Sequence, residues 1–337
     1  QNFKEWFDNY DRQIACKGSG KYIDDEAVKL WKDIENNIFP EGKAGIIVDR
    51  LVKSQWGQLY PWNLLCPEKD SMETYAGCVA TAMAQILRYH RWPDVGAGSA
   101  SYLWEGQTLS ADFTTHTWNY DLMPEMLDIE YGIYPEYWET GITQAEKDEL
   151  SLLSYWTGLS VDMNYGTLID NGSWAYAAPV DDAFLDHWKA FSSVYYTMDT
   201  PPTFGVDSQY ATIKAELDAK RPWFWAGGVH AFLLDGYRDD YWYHFNWGWE
   251  GNYDGWFHRS SLIPGGVGSC DTGGGDFTDS QLGITYVPST DPFTAWPATT
   301  LSGSLLNGED ASLSWTACSG ATGYKIFRRF SSYSQFY

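Results

Sequence analysis

Long apolar runs are missing from this sequence. No stretch approaches the ~18 apolar residues a bilayer-spanning helix needs, so no membrane span is expected. Basic side chains are scarce too, with 22 Lys and Arg against 45 Asp and Glu and a formal net charge of −23. A surface so acidic repels phosphate backbones and anionic lipid, which excludes nucleic acid and lipid as principal partners. Cysteine is sparse: Cys16, Cys66, Cys78, Cys270 and Cys318 are the five present, and no C-x-x-C pair occurs. Their spacing fits neither a zinc site nor a small disulfide framework, so no metal or other cofactor is expected. An odd number leaves at least one thiol unpaired, and that thiol needs an explanation. The pairing of the others stays open. The chain starts at Gln1 rather than Met, as expected of an exported protein that has lost its signal peptide, or of a fragment.

What is abundant is aromatic. Trp, Tyr and Phe make up 18% of the chain, including 19 Trp, and hydrophobic residues reach 44%. That supports a large aromatic core and wide apolar clefts. A length of 337 residues suits two domains.

Residues 1–43 carry two stretches of helical spacing, Phe3, Trp6, Phe7 and Tyr10, then Val28, Trp31, Ile34 and Ile38. Pro40-Glu-Gly42 punctuates the chain after them. From 44 to 288 the pattern is mixed. A short helix is expected over Gly45–Val52, the clearest one over Cys78–His90 before Trp92-Pro93, and others around 144–158 and 180–191. After Pro222 the period changes to two, and strands are expected at Trp223–Trp225, His230–Tyr237, Tyr241–Trp247 and Gly255–Arg259. Helices first and strands later imply an α+β domain. The glycine-rich 265–276 reads as a mobile loop, and 288–292 as a linker. In 289–337, Ala311–Trp315 and Gly323–Arg328 alternate as strands, the opening of a β-sandwich module similar to fibronectin type III.

Cys78 follows Gly77 and opens a helix, where unpaired N–H groups and the positive end of the helix dipole favour thiolate over thiol. His230 stands between Gly227-Gly-Val229 and the apolar run Ala231–Leu234, at the mouth of a strand. Its separation from Cys78 is close to the roughly 130–150 residues between nucleophile and base in papain-like enzymes. A five-residue turn centred on Arg238 sets Asn246 directly across from His230, where its amide oxygen holds the imidazole toward the thiol. The indole of Trp247 then covers that bond and keeps water off it. Acyl transfer also needs oxyanion donors. The Cys78 N–H is one, and Gln55 and Gln58 are equal candidates for the second. The remaining histidines read as structural, and strand alternation turns Asp235 to the face opposite His230.

Four blocks carry a resemblance. Gly-Cys-Val-Ala-Thr-Ala-Met-Ala-Gln-Ile at 77–86, His-Ala-Phe-Leu-Leu-Asp-Gly at 230–236, His-Phe-Asn-Trp-Gly-Trp-Glu-Gly at 244–251 and Gln-Leu-Tyr-Pro-Trp-Asn-Leu-Leu-Cys-Pro at 58–67 resemble, in order and spacing, the signature blocks of the streptopain family of cysteine peptidases. The resemblance implies a papain-like α+β fold of two subdomains over 44–288, with a helical half carrying the cysteine and an antiparallel β half carrying the histidine. It implies a bacterial protein that is secreted, or held at the cell surface or in the periplasm, zymogen maturation, and endopeptidase activity on protein or peptide substrates, often with a hydrophobic residue before the scissile one. By position, Cys78 is the nucleophile, His230 the general base, Gln58 the oxyanion donor, Asn246 the orienting amide and Trp247 its cover. Residues 1–43 resemble the end of an inhibitory prodomain, which makes the chain's own prodomain an expected partner. Two positions depart from the family pattern: Val229 where Gly usually precedes the histidine, and Trp62 where Tyr is common. The alternative reading is a secreted, non-catalytic adhesion protein on a peptidase-like fold.

Overall fold

A computed structural model describes residues 46–127, 142–198, 207–264 and 275–289, with short strand segments at 129–131, 137–139, 301–306 and 310–315. The expected helices of 1–43, the glycine-rich loop over 265–274 and the strand at 323–328 lie outside the described residues.

The described residues open on β1 (Ile46–Val48) and reach α1 (Cys78–His90) through a segment of turns and loop. A hairpin follows, β2 (Ser99–Trp104) and β3 (Gln107–Asp112), then a small one, β4 (Ile129–Tyr131) and β5 (Tyr137–Glu139). Next come α2 (Gln144–Leu159), α3 (Val180–Asp186), β6 (Ala190–Ser192), β7 (Tyr195–Thr197) and α4 (Tyr210–Asp218). The sheet half is β8 (Trp223–Gly227), β9 (His230–Arg238), β10 (Trp242–Asn246), β11 (Gly255–His258), β12 (Leu282–Ile284) and β13 (Val287–Pro288). Strand order in the main sheet is β11-β10-β9-β8-β12-β7, with β1 added along β9. All of these pairings are antiparallel. A final hairpin joins β14 (Leu301–Leu306) to β15 (Asp310–Trp315).

The expectation of a helix over Gly45–Val52 is overturned. Ile46, Ile47 and Val48 are β-branched and pair with Tyr237 and Arg238 at the end of β9 instead. The helix expected over 180–191 stops at Asp186, and Ala190–Ser192 is strand. The strand Asp310–Trp315 contains the expected Ala311–Trp315, and it pairs with Leu301–Leu306, where the sequence pattern predicts no strand.

Strand β9 explains how the two halves meet. Ala231 and Leu233 face the core around α1, whereas Phe232 and Leu234 face a second core shared with α4, β10 and Trp223, Trp225 and Trp247. Both faces are covered, so the run Ala-Phe-Leu-Leu shows no polar alternation. Helix α1 is likewise buried from Val79 through Leu87, against β9 on one side and α2 on another. Its C-terminus closes on Arg91 in the left-handed region, with Arg88 and His90 in the last turn.

Candidate active site

Gly77 caps α1 with φ +93°, and a side chain there would put its Cβ 2.6 Å from Met163 Cε. Glycine is required by both the backbone and the space. No side chain caps the helix and no acidic residue sits in its first turn. The hydroxyl of Thr81 donates instead to the carbonyls of Gly77 and Gly57, at 3.1 and 3.3 Å. The amides of the first turn are thus left to whatever lies before them, which is the sulfur of Cys78.

That sulfur is a half-buried free thiol. Burial pushes its pKa up, and the amides of Ala231, Val79 and Cys78 itself pull the other way by hydrogen bonding. Ala231 is the second residue of β9, directly after His230, so α1 and β9 meet at the thiol. His230 keeps 8% of its surface. Burial drives its pKa down to about 4, against the opposing pull of a bond to the Trp247 carbonyl. That bond, 2.8 Å from Nε2, places the proton on Nε2 and leaves Nδ1 as the basic nitrogen.

Asn246 does not sit where the sequence placed it. The β9–β10 register shifts between His244 and Phe245, so Asn246 pairs with Leu233 rather than His230. Its side chain is spent elsewhere, on Gln85, the Ser54 carbonyl and the Gly248 amide. The imidazole is held by the neighbouring main chain. Trp247 also differs from expectation: its ring centroid is 6.5 Å from that of His230, while Trp249 stacks on the imidazole at 4.8 Å and 25°. Phe277 closes another side at 5.2 Å. Trp247 meets the imidazole through its carbonyl.

The two glutamines are held differently. The Gln58 carbonyl accepts from Ala76, two residues before the thiol, at 2.8 Å, which ties its loop to the start of α1. Gln55 packs its amide against Gly251. Asp235, as expected, faces away from His230, and its carboxylate takes the His244 ring at 2.6 Å and the Val52 amide at 2.8 Å. Cys66 is a free thiol whose pKa burial pushes up. Cys16, Cys270 and Cys318 lie outside the described residues. Among the described residues no cluster of three His, Cys, Asp or Glu side chains could hold a metal.

The sequence profile of the Peptidase C10 family matches residues 56–257. The chain belongs to the Peptidase C10 family of cysteine proteases. It is 30% identical over 301 residues to the thiol protease/hemagglutinin PrtT of Porphyromonas gingivalis, a match covering 86% of this chain and 32% of that protein. It is 32% identical over 237 residues to streptopain of Streptococcus pyogenes, covering 65% and 56%. The chain therefore spans about a third and just over half of these relatives. Active wild-type interpain A from Prevotella intermedia superposes with a TM-score of 0.58 at 27% identity, over 72% of this chain and 96% of that one. A prointerpain A fragment from the same organism gives 0.56 at 24% identity. The C10 domain is thus papain-like and α+β.

The sequence reading missed Gln85 and Asp254. Gln85 lies seven residues after Cys78, a polar side chain on a helix whose neighbours are all buried, which was a legible signal. Asp254 follows Tyr253 in a turn and carried none.

Proposed function

We propose that this chain is an endopeptidase that cleaves proteins outside the cell through an acyl-enzyme on Cys78. The observation that carries the reading is the thiol at the start of α1, bonded by the amide that follows His230. Burial disfavours either charge by itself, raising the thiol and lowering the imidazole. Moving the thiol proton onto His230 Nδ1 creates both charges together, each stabilising the other. The thiolate then attacks the peptide carbonyl carbon, and the C=O electron pair moves onto oxygen. Gln58 and the Cys78 amide hold that oxyanion. Collapse expels the amine, which takes its proton from His230, and a thioester remains. His230 next removes a proton from water, whose attack releases the acid and restores the thiol.

Residues 1–43 serve in this reading as the end of an inhibitory prodomain, residues 44–288 as the peptidase and 289–337 as the start of a β-sandwich module. The net charge of −23 suits a protein working in solution outside a cell, and no helix among the described residues is long and apolar enough to cross a membrane. Substrates are proteins or peptides. Cys78→Ala is the test: complete loss of casein cleavage with an unchanged melting temperature is expected, and retained cleavage overturns the assignment. A chain acting only in adhesion would fail to take an epoxysuccinyl label on Cys78.

A further inference from the structure

The imidazole of His230 is oriented by a peptide group, and that peptide group is itself gripped from behind. The Trp247 carbonyl and the Gly248 amide are the two ends of one planar unit, pointing in opposite directions. On the carbonyl side lies His230 Nε2 at 2.8 Å. On the amide side lies Asn246 Oδ1, accepting from Gly248 at 3.1 Å. Fixing the direction of the N–H therefore fixes the direction of the carbonyl.

Asn246 is held in turn by a buried network. Gln85 Nε2 donates to Asn246 Oδ1 at 3.2 Å, and Asn246 Nδ2 donates to the Ser54 carbonyl at 2.7 Å and to Gln85 Oε1 at 3.3 Å. The Ser54 hydroxyl donates to Gln85 Oε1 at 2.8 Å. Ser54, Gln85 and Asn246 keep 1%, 0% and 2% of their surface. Every amide atom of Asn246 is satisfied, which sets the rotation of its side chain uniquely. The network spans the loop before α1, α1 itself and the end of β10, so the helix that carries the thiol also sets the angle of the base.

We propose that Gln85 and Asn246 are positioning residues for His230, acting through the Trp247–Gly248 peptide rather than by touching the imidazole. Accepting from the Gly248 amide makes the Trp247 carbonyl a stronger acceptor. A stronger acceptor favours the imidazolium, whose N–H donates more strongly than the neutral ring. The pair thus keeps the thiolate–imidazolium state populated toward higher pH. The other charged groups around this end of the sheet are Asp254, on the Trp247 amide, His244 paired with Asp235, and Arg50.

The inference rests on Cys78 and His230 being the reacting pair, so its readout is chosen to be independent of peptide cleavage. The rate at which iodoacetamide alkylates Cys78 follows the thiolate, and its pH profile has an alkaline limb where the imidazolium is lost. In Asn246→Ala and in the near-isosteric Gln85→Met, that limb moves to lower pH by about one unit, the size of one hydrogen bond. On a short peptide kcat falls about tenfold while KM stays within about twofold. Asn246→Asp keeps an oxygen on the Gly248 amide but sets a carboxylate against Ser54 and Gln85. Its limb stays at the wild-type pH or rises, although its melting temperature falls. A merely structural role predicts the opposite, with Asp as poor as Ala. An unmoved limb in the Ala and Met variants overturns the proposal, as does an Asp limb that falls as far as the Ala one. If Asn246→Ala does not fold, Gln85→Met decides alone.

Discussion

His230 donates to the main-chain carbonyl of Trp247, and the ring of Trp249 lies flat on the same imidazole. A carbonyl is a neutral acceptor, so this bond tolerates both the neutral and the protonated ring, and its strength depends on water being kept away. Trp249 is the group that does so. Trp249→Ala therefore lowers kcat by about tenfold with a smaller change in KM, because water competes for the Nε2 proton. Steady-state kinetics on a peptide substrate checks this. Trp247→Phe keeps the carbonyl and is expected to lose far less activity, which separates main-chain from ring contributions.

How much of this was legible in the sequence depends on the distance over which each feature is decided. The α1 helix, with Gly77 before it and the Trp92-Pro93 stop after it, is a local feature and could be read directly. So could β9 and β10, whose boundaries in the fold differ from the expected ones by a residue or so. The pairing of Asn246 with His230 could not. It hung on register, and the irregularity between His244 and Phe245 slides Asn246 to Leu233. No residue at that place announces a bulge. The strand at Ile46–Val48 was lost for a related reason: three apolar residues fit either period, and only the open edge of β9 decides between them. Choosing Gln58 over Gln55 comes from the resemblance of the 58–67 block and not from composition or spacing, which leave the two glutamines equal.

Gln58 is expected to act only in the transition state. The residue is half-buried, its main chain is tied to Ala76 just before α1, and its proposed partner is an oxygen that bears charge only after attack. Gln58→Ala accordingly reduces kcat by about 10²- to 10³-fold and leaves KM nearly unchanged. Gln55→Ala serves as the control and stays near wild type. Equal losses in both variants would remove Gln58 from the oxyanion site.

Gly77→Ala tests the backbone that presents the thiol. Its φ of +93° is strained for alanine, and the added methyl meets Met163. The fold loses about 1–3 kcal/mol, read as a drop in the denaturant midpoint. Alkylation of Cys78 slows as the first turn of α1 shifts. Adding Met163→Ala relieves the contact but not the backbone strain, so the double variant recovers part of the alkylation rate and little of the stability attributable to φ.

Asp254 offers a separate, pH-resolved test. Its carboxylate accepts from the Trp247 amide at 2.8 Å, yet burial pushes its pKa up to about 7, with the nearby Asp235 adding to the rise and His244 and Arg50 opposing it. Because the folded pKa lies above the unfolded value, the native state holds this proton more tightly than the unfolded chain does. Stability contributed by Asp254 then declines as pH rises from about 4 through 7, and the cost is complete above that. Asn at this position can still accept from the Trp247 amide but carries no charge to desolvate. Asp254→Asn is therefore close to wild type in stability near pH 4 and more stable at pH 8, by an amount on the order of a few kcal/mol. Urea titrations across that range measure it. A difference that stays flat with pH would mean the carboxyl titrates normally, and the bond to Trp247 would then be that of an ordinary carboxylate. His244, whose pKa the Asp235 carboxylate raises in spite of burial, stays paired in either case.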